Sequence, residues 1–129
     1  MLQVTAGPSV QKDRALRKIA AIDIGTNSTH LLVASVDPEL RTFSIELAEK
    51  STTRLGERDP ETGNLSAAAI ERGIEALRRF RELALSHQVE QIVTAATSAV
   101  REAPNGRDFL QEIQDQFDLE VDLVSGPEE

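Results

Sequence analysis

Between two apolar runs the chain places Asp23-Ile24-Gly25-Thr26-Asn27-Ser28. A carboxylate at the end of one run, a glycine two residues later and three small polar residues can serve three purposes. Gly25 permits a sharp turn and the close approach of a ligand. The successive N–H groups of Thr26, Asn27 and Ser28 can then converge on an anion, with side-chain donors beside them. Asp23 would repel a bare phosphate, so a phosphate cradle needs it to face a cation, such as hydrated magnesium, or a water. A second use is half of a paired-carboxylate site, in which two acids share one proton. The third is no chemistry at all, a hairpin turn with Asp as the turn former. Spacing alone leaves the cradle and the turn equally open.

The elements that must hold this stretch can be read from periodicity. Ile19–Ile24 is short, apolar and partly β-branched, the pattern of a buried strand. Residues 29–36 read as a second strand and Thr42–Leu47 alternates as a third, with Asp37-Pro38 as the turn between them. The polar stretch Glu49–Asn64 is a long loop, either functional or mobile. Ser66 is an N-cap, and Ile70, Ile74, Leu77, Phe80 and Ala84 then recur at helical spacing. Arg72, Arg78 and Arg79 on that helix form either a phosphate patch or, more commonly, a solvated face, with Glu75 and Arg79 spaced to pair. Val89–Ala96 is a fourth strand, Asn105–Phe117 a second helix and Leu119–Val124 a fifth strand. The order β-β-β-α-β-α-β predicts an α/β fold with a mixed five-stranded sheet, the later strands parallel to the first.

Composition narrows the function. A chain of 129 residues fits one domain, here expected over 17–129 behind a disordered leader, 1–16, and residues 1–22 carry Lys12, Arg14, Arg17 and Lys18 against one Asp13. The formal net charge of −8 opposes nonspecific nucleic-acid binding, and four Phe with no Trp or Tyr offer few faces for base stacking. Without cysteine there is no disulfide framework or thiolate metal site, and His30 and His87 lie too far apart in sequence to suggest zinc. No signal-peptide core and no membrane-length apolar run is present, so a cytoplasmic location without membrane contact is expected. The paired-carboxylate use also weakens. Asp-X-Gly-Thr is similar to the aspartic-protease motif, but those proteases place a small hydroxyl residue where Ile24 stands, and their nearly all-β fold has no room for two amphipathic helices.

Three segments taken together carry a family resemblance. Residues 19–36, IAAIDIGTNSTHLLVASV, resemble the first phosphate loop of the exopolyphosphatase/guanosine pentaphosphate phosphatase (Ppx/GppA) family. TAATSAVREAPNGRDFL resembles the family's Ala-Thr-Ser/Ala-Ala-X-Arg segment and the helix after it. VDLVSGPEE resembles its Ser-Gly-X-Glu-Glu segment, and LSAAAIERGIEALRRF matches the intervening helix. The resemblance implies a ribonuclease H-like domain of the actin-like ATPase, sugar-kinase and Hsp70 superfamily. It implies that Gly25, Thr26, Asn27, Ser28 and Arg101 bind phosphate, and that Asp23 faces Mg2+ or another divalent cation. Glu129 matches the catalytic carboxylate that orients or deprotonates the attacking water, with Glu128 as a bystander. The implied reaction is hydrolysis of a terminal phosphoanhydride of polyphosphate or guanosine pentaphosphate.

Family members carry a second phosphate loop, Asp-X-Gly-Gly-Gly-Ser, and a second domain beyond the Glu-Glu pair. The sequence stops at Glu129, so an N-terminal fragment, inactive by itself and inclined to self-associate, for instance as a homodimer, is expected. The alternatives are a non-catalytic module that binds phosphate or a partner, and a kinase-type relative, against which the Ser-Gly-X-Glu-Glu ending argues.

Overall fold

A computed structural model of the chain describes residues 16–125. Its elements are β1 (Arg17–Ile24), β2 (Thr29–Asp37), β3 (Thr42–Ser51), α1 (Ala67–Ser86), β4 (Gln91–Ala96), α2 (Ser98–Glu102), α3 (Gly106–Phe117) and β5 (Val121–Leu123). The expected elements are all present, with one addition: α2 has five residues, too few to leave a periodic signal. β3 runs four residues past Leu47, and β5 has three residues rather than six. Of the expected leader, residues 1–15 lie outside the described residues, and Leu16 is about half exposed.

The sheet order is β3-β2-β1-β4-β5. β2 is antiparallel to both β1 and β3, whereas β1, β4 and β5 are mutually parallel. Consequently β1, β3, β4 and β5 all finish at one edge of the sheet, and β2 starts there. Loops at the carboxyl ends of parallel strands are where open α/β sheets bind ligands.

Strand alternation decides which side chains form the core. Ala20, Ile22 and Ile24 of β1, with Leu31 and Val33 of β2, join Leu77, Phe80, Phe109, Ile113 and Phe117 from the helices in one buried cluster. Phe80 and Phe109 are fully buried, and each is worth about 3–5 kcal/mol against alanine. The opposite face carries Ile19, Ala21, Leu32, Ala34, Val36 and Phe43, which line a shallow apolar recess. No described helix covers it, and Phe43 and Ile45 are more than half exposed. Among the described residues no helix is long and apolar enough to cross a membrane.

The arginines of α1 are committed to structure. Arg78 pairs with Glu75 at 3.3 Å and Arg79 with Glu49 at 3.2 Å, so the expected Glu75–Arg79 pair is replaced by two others. Arg72 reaches off the helix altogether, as described next. The phosphate-patch reading of this cluster therefore gives way to the structural one.

Candidate functional site

The turn after β1 is set by one hydrogen bond, Gly25 N to Ser28 O at 3.0 Å. A Cβ on Gly25 would stand 2.8 Å from that same oxygen, so only glycine closes the turn this tightly. The N–H groups of Thr26, Asn27 and Ser28 have no acceptor among the described residues, and Thr26 and Asn27 are exposed. Three adjacent amides at the carboxyl end of a strand are thus left without a protein acceptor among the described residues. Asp23 is exposed on the open face of the sheet, with His30 and then Lys50 next to it in register across β2 and β3. Among the described residues no three His, Asp or Glu side chains converge as a metal cluster. The Asp23 carboxylate makes no hydrogen bond or ion pair among the described residues.

A second segment, absent from the sequence-based expectation, backs this turn. Arg54 N donates to Asn27 O at 2.9 Å, and Gly56 N donates to Thr26 O at 2.9 Å. A Cβ on Gly56 would come within 2.8 Å of the Thr26 methyl, which explains the glycine. Thr53 and Thr29, both fully buried, share a hydroxyl hydrogen bond of 2.9 Å, and Leu55 between them and Gly56 is a core residue. From α1, Arg72 donates to Thr53 O at 2.8 Å, to Arg54 O at 3.4 Å and to the Glu57 carboxylate at 2.8 Å. Ser66 Oγ, the N-cap of α1, donates to Glu57 as well. Arg72's hydrogen bond, then Ser66's, hold the Glu57 carboxyl below the ordinary carboxylate value. Of the two readings of this long loop, functional or mobile, the structure shows a strap tied to both the core and the turn. Leu55, a lone large apolar side chain within that polar stretch, was the available signal.

The remaining loops meet at the same edge. Thr97 N donates to Ile24 O at 3.3 Å, which seats the start of α2 beside the end of β1. Arg101 of α2 donates to Val124 O at 2.6 Å and lies 3.8 Å from Glu102. It is thereby fixed beside the exit of β5, at the turn's edge of the sheet. Farther along, Asn105 bridges both backbone groups of Leu65, and Arg58 donates to Ala99 O at 2.7 Å, joining the strap's continuation to α2 and α3. Glu128 and Glu129 lie outside the described residues. The structure thus gathers Asp23, Gly25–Ser28 and Arg101 at one edge, and adds Thr53–Glu57 and Arg72.

Comparison with known proteins bears on the family and the fold. The sequence model of the Ppx/GppA phosphatase family matches residues 32–129. Exopolyphosphatase 2 of Mycobacterium tuberculosis is 34% identical over 122 residues, covering 89% of this chain and 38% of that protein. A bifunctional 3-dehydroquinate synthase/phosphatase of Fusobacterium nucleatum is 35% identical over 115 residues, covering 85% of this chain and 17% of that one. The crystal structure of the Aquifex aeolicus Ppx/GppA family member superposes with a TM-score of 0.79 at 32% identity, covering 86% of this chain and 36% of that chain. The chain thus spans well under half the length of the curated relatives it matches. The expected ribonuclease H-like, actin-like ATPase architecture is the one it shares with these neighbours. The chain belongs to the Ppx/GppA phosphatase family.

Proposed function

We propose that the complete gene product hydrolyses the terminal phosphoanhydride of a phosphate chain, with polyphosphate and guanosine pentaphosphate as the candidate substrates. The observation that carries this is the row of unclaimed amides at Thr26, Asn27 and Ser28, at the carboxyl edge of the sheet in a chain of this family. Those amides hold the oxygens of the terminal phosphate. Gly25 keeps the approach open to them. Arg101 offers a planar fork to a further phosphate oxygen once it leaves Val124 O. Phosphoryl transfer asks a protein chiefly for positioning and charge neutralisation, which fits backbone donors and arginine.

Glu129 is the proposed base. It takes a proton from a water that attacks the terminal phosphorus; the P–O bond to the rest of the chain breaks, and inorganic phosphate and a shortened chain leave. Asp23 fits as a ligand to magnesium or another divalent cation, because it is exposed and its carboxylate makes no hydrogen bond or ion pair among the described residues. Magnesium characteristically keeps several waters and takes only one or two protein carboxylates beside substrate phosphates. When bound, the cation supplies charge neutralisation of the phosphate oxygens. The 129-residue chain by itself is proposed to bind without turnover, and the protein to act in the cytoplasm.

The test is phosphate release by the complete gene product on both substrates, with and without Mg2+. Release from either one is expected, and Glu129→Ala should abolish it while substrate binding persists. No release from either substrate would overturn the reading, and near-normal turnover in Glu129→Ala would remove Glu129 from its role.

A further inference from the structure

The strap that backs the phosphate turn carries a cation, Arg54, whose guanidinium makes no hydrogen bond or ion pair among the described residues. Among the described residues four non-glycine residues have positive φ: Arg41, Arg54, Gln88 and Asp118. Arg41 lies in the β2–β3 turn, Gln88 follows the C-cap of α1, and Asp118 is the C-cap of α3. At each of these the chain is reversing or leaving a helix, where left-handed backbone is ordinary. Arg54, at φ 49, opens the hydrogen-bonded turn to Glu57, whose N–H donates to its carbonyl. Unlike the other three, it is also tied from outside the turn, its N–H donating to Asn27 O and its carbonyl accepting from Arg72. Glycine or asparagine suits that backbone better than arginine does. Non-glycine residues held in this region cluster at ligand sites, so the strain asks what the side chain does.

The charges around it are already spent. Arg72 holds Glu57, Arg58 donates to Gly63 O and Ala99 O, and Arg101 donates to Val124 O. Arg54 is exposed, and its guanidinium makes no hydrogen bond or ion pair among the described residues. Glu57, which feels its charge, is occupied by Arg72 and Ser66. Arg54 is also the strap residue whose backbone N–H reaches Asn27, the middle of the three unclaimed amides. Its long arm therefore starts from the wall behind the Thr26–Ser28 turn and meets no acceptor among the described residues.

We infer that Arg54 is a substrate-binding residue, the side-chain cation that accompanies the Thr26–Ser28 amides and grips an oxyanion of the phosphate chain. The inference rests on the phosphate reading of that turn. It assigns the strap two tasks: its backbone braces the turn, and Arg54 adds a planar donor fork suited to phosphate oxygens. The positive φ fixes where the arm begins, so the cation is delivered from a rigid wall.

The backbone conformation supplies a clean test. Arg54→Gly removes the cation while suiting φ 49, so folding and Tm are kept or improved. In the complete gene product, with inorganic tripolyphosphate as substrate and probe, Arg54→Gly should raise KM and the directly measured Kd by about tenfold, the loss expected for one charged hydrogen bond. The salt dependence of KM should become shallower, and Arg54→Lys should recover part of the affinity. Parental KM, Kd and salt dependence in Arg54→Gly would overturn the assignment while leaving the phosphate reading intact. A fall in Tm with equal affinity losses in the Gly and Lys variants would also overturn it, by making Arg54 a brace only. A parental protein that neither binds nor hydrolyses tripolyphosphate would sink both.

Discussion

The two edges of the sheet share the same strands and treat their polar groups in opposite ways. Where β1 begins, Lys18 donates to His87 O at 3.0 Å and pairs with Glu46 at 3.3 Å. Ser35 donates to the Glu46 carboxylate, and His87 Nδ1 lies 3.4 Å from it. Glu46 sits at the β-bulge opposite Val33 and Ala34, so the extra residue becomes the hub of a closed network. Where β1 ends, three amides, Asp23 and Arg54 remain unclaimed among the described residues. The groups holding them in place, Thr29, Thr53, Arg72 and Glu57, are satisfied instead. One edge consumes its own charges for stability; the other consumes only its scaffold and leaves donors facing outward. Exposed donors that the protein leaves to solvent are available to a ligand, which is why the second edge reads as a site.

The contrast can be broken first at Gly25. Gly25→Val forces a branched side chain toward Ser28 O, where even a Cβ would stand at 2.8 Å, so the turn must open. The expected result is a loss of 100-fold or more in kcat/KM, on the order of 3 kcal/mol of transition-state stabilisation, with the far-UV spectrum unchanged. Next is Arg72→Ala, which frees Thr53 O, Arg54 O and Glu57 together. It should destabilise the domain by about 2 kcal/mol, read in urea melts, and raise KM because the strap loses its clamp. Smallest is Glu46→Gln at the other edge. It should lower Tm slightly and leave kcat and KM unchanged; a changed KM would erase the division of labour.

Acid sharpens the same comparison. Glu46, chiefly through the Ser35 hydroxyl, and Glu57, chiefly through Arg72, are both held below the ordinary carboxylate value. A folded-state value below the unfolded one contributes stability that is complete above the unfolded value and is lost as pH falls through the folded one. Thermal melts should therefore be flat across neutral pH and decline in the acid range. In Glu46→Gln that decline should be shallower, because one of the two groups no longer titrates.

Most of the fold was legible because alternation and helical spacing are local. Ile22, Leu31, Phe80 and Phe109 announced their burial from their neighbours in sequence. The strap was not legible, because its order comes from partners far along the chain: Thr53 finds Thr29, and Arg72 reaches back to residues 53, 54 and 57. Buried threonines and a left-handed arginine imitate a polar loop. The Arg72–Arg78–Arg79 cluster left two readings open in sequence, since partner identity rather than charge density separates a patch from a set of ties. The turn itself was readable from Gly25 and its polar successors, while α2 was too short to show a period. Arg101 was found by resemblance, and the structure adds what spacing could not: it is seated at the exit of β5.

Leu55 sets the character of the site. Because this residue of the strap is fully buried in the main core, the strap cannot lift without opening the cluster that holds Phe80 and Ile113. Its opening free energy belongs to the cooperative unit of the whole domain rather than to a fraying loop. A wall of that kind does not mould itself to a ligand. It selects by the spacing of groups fixed before the ligand arrives, and little ordering entropy is left to lose on binding.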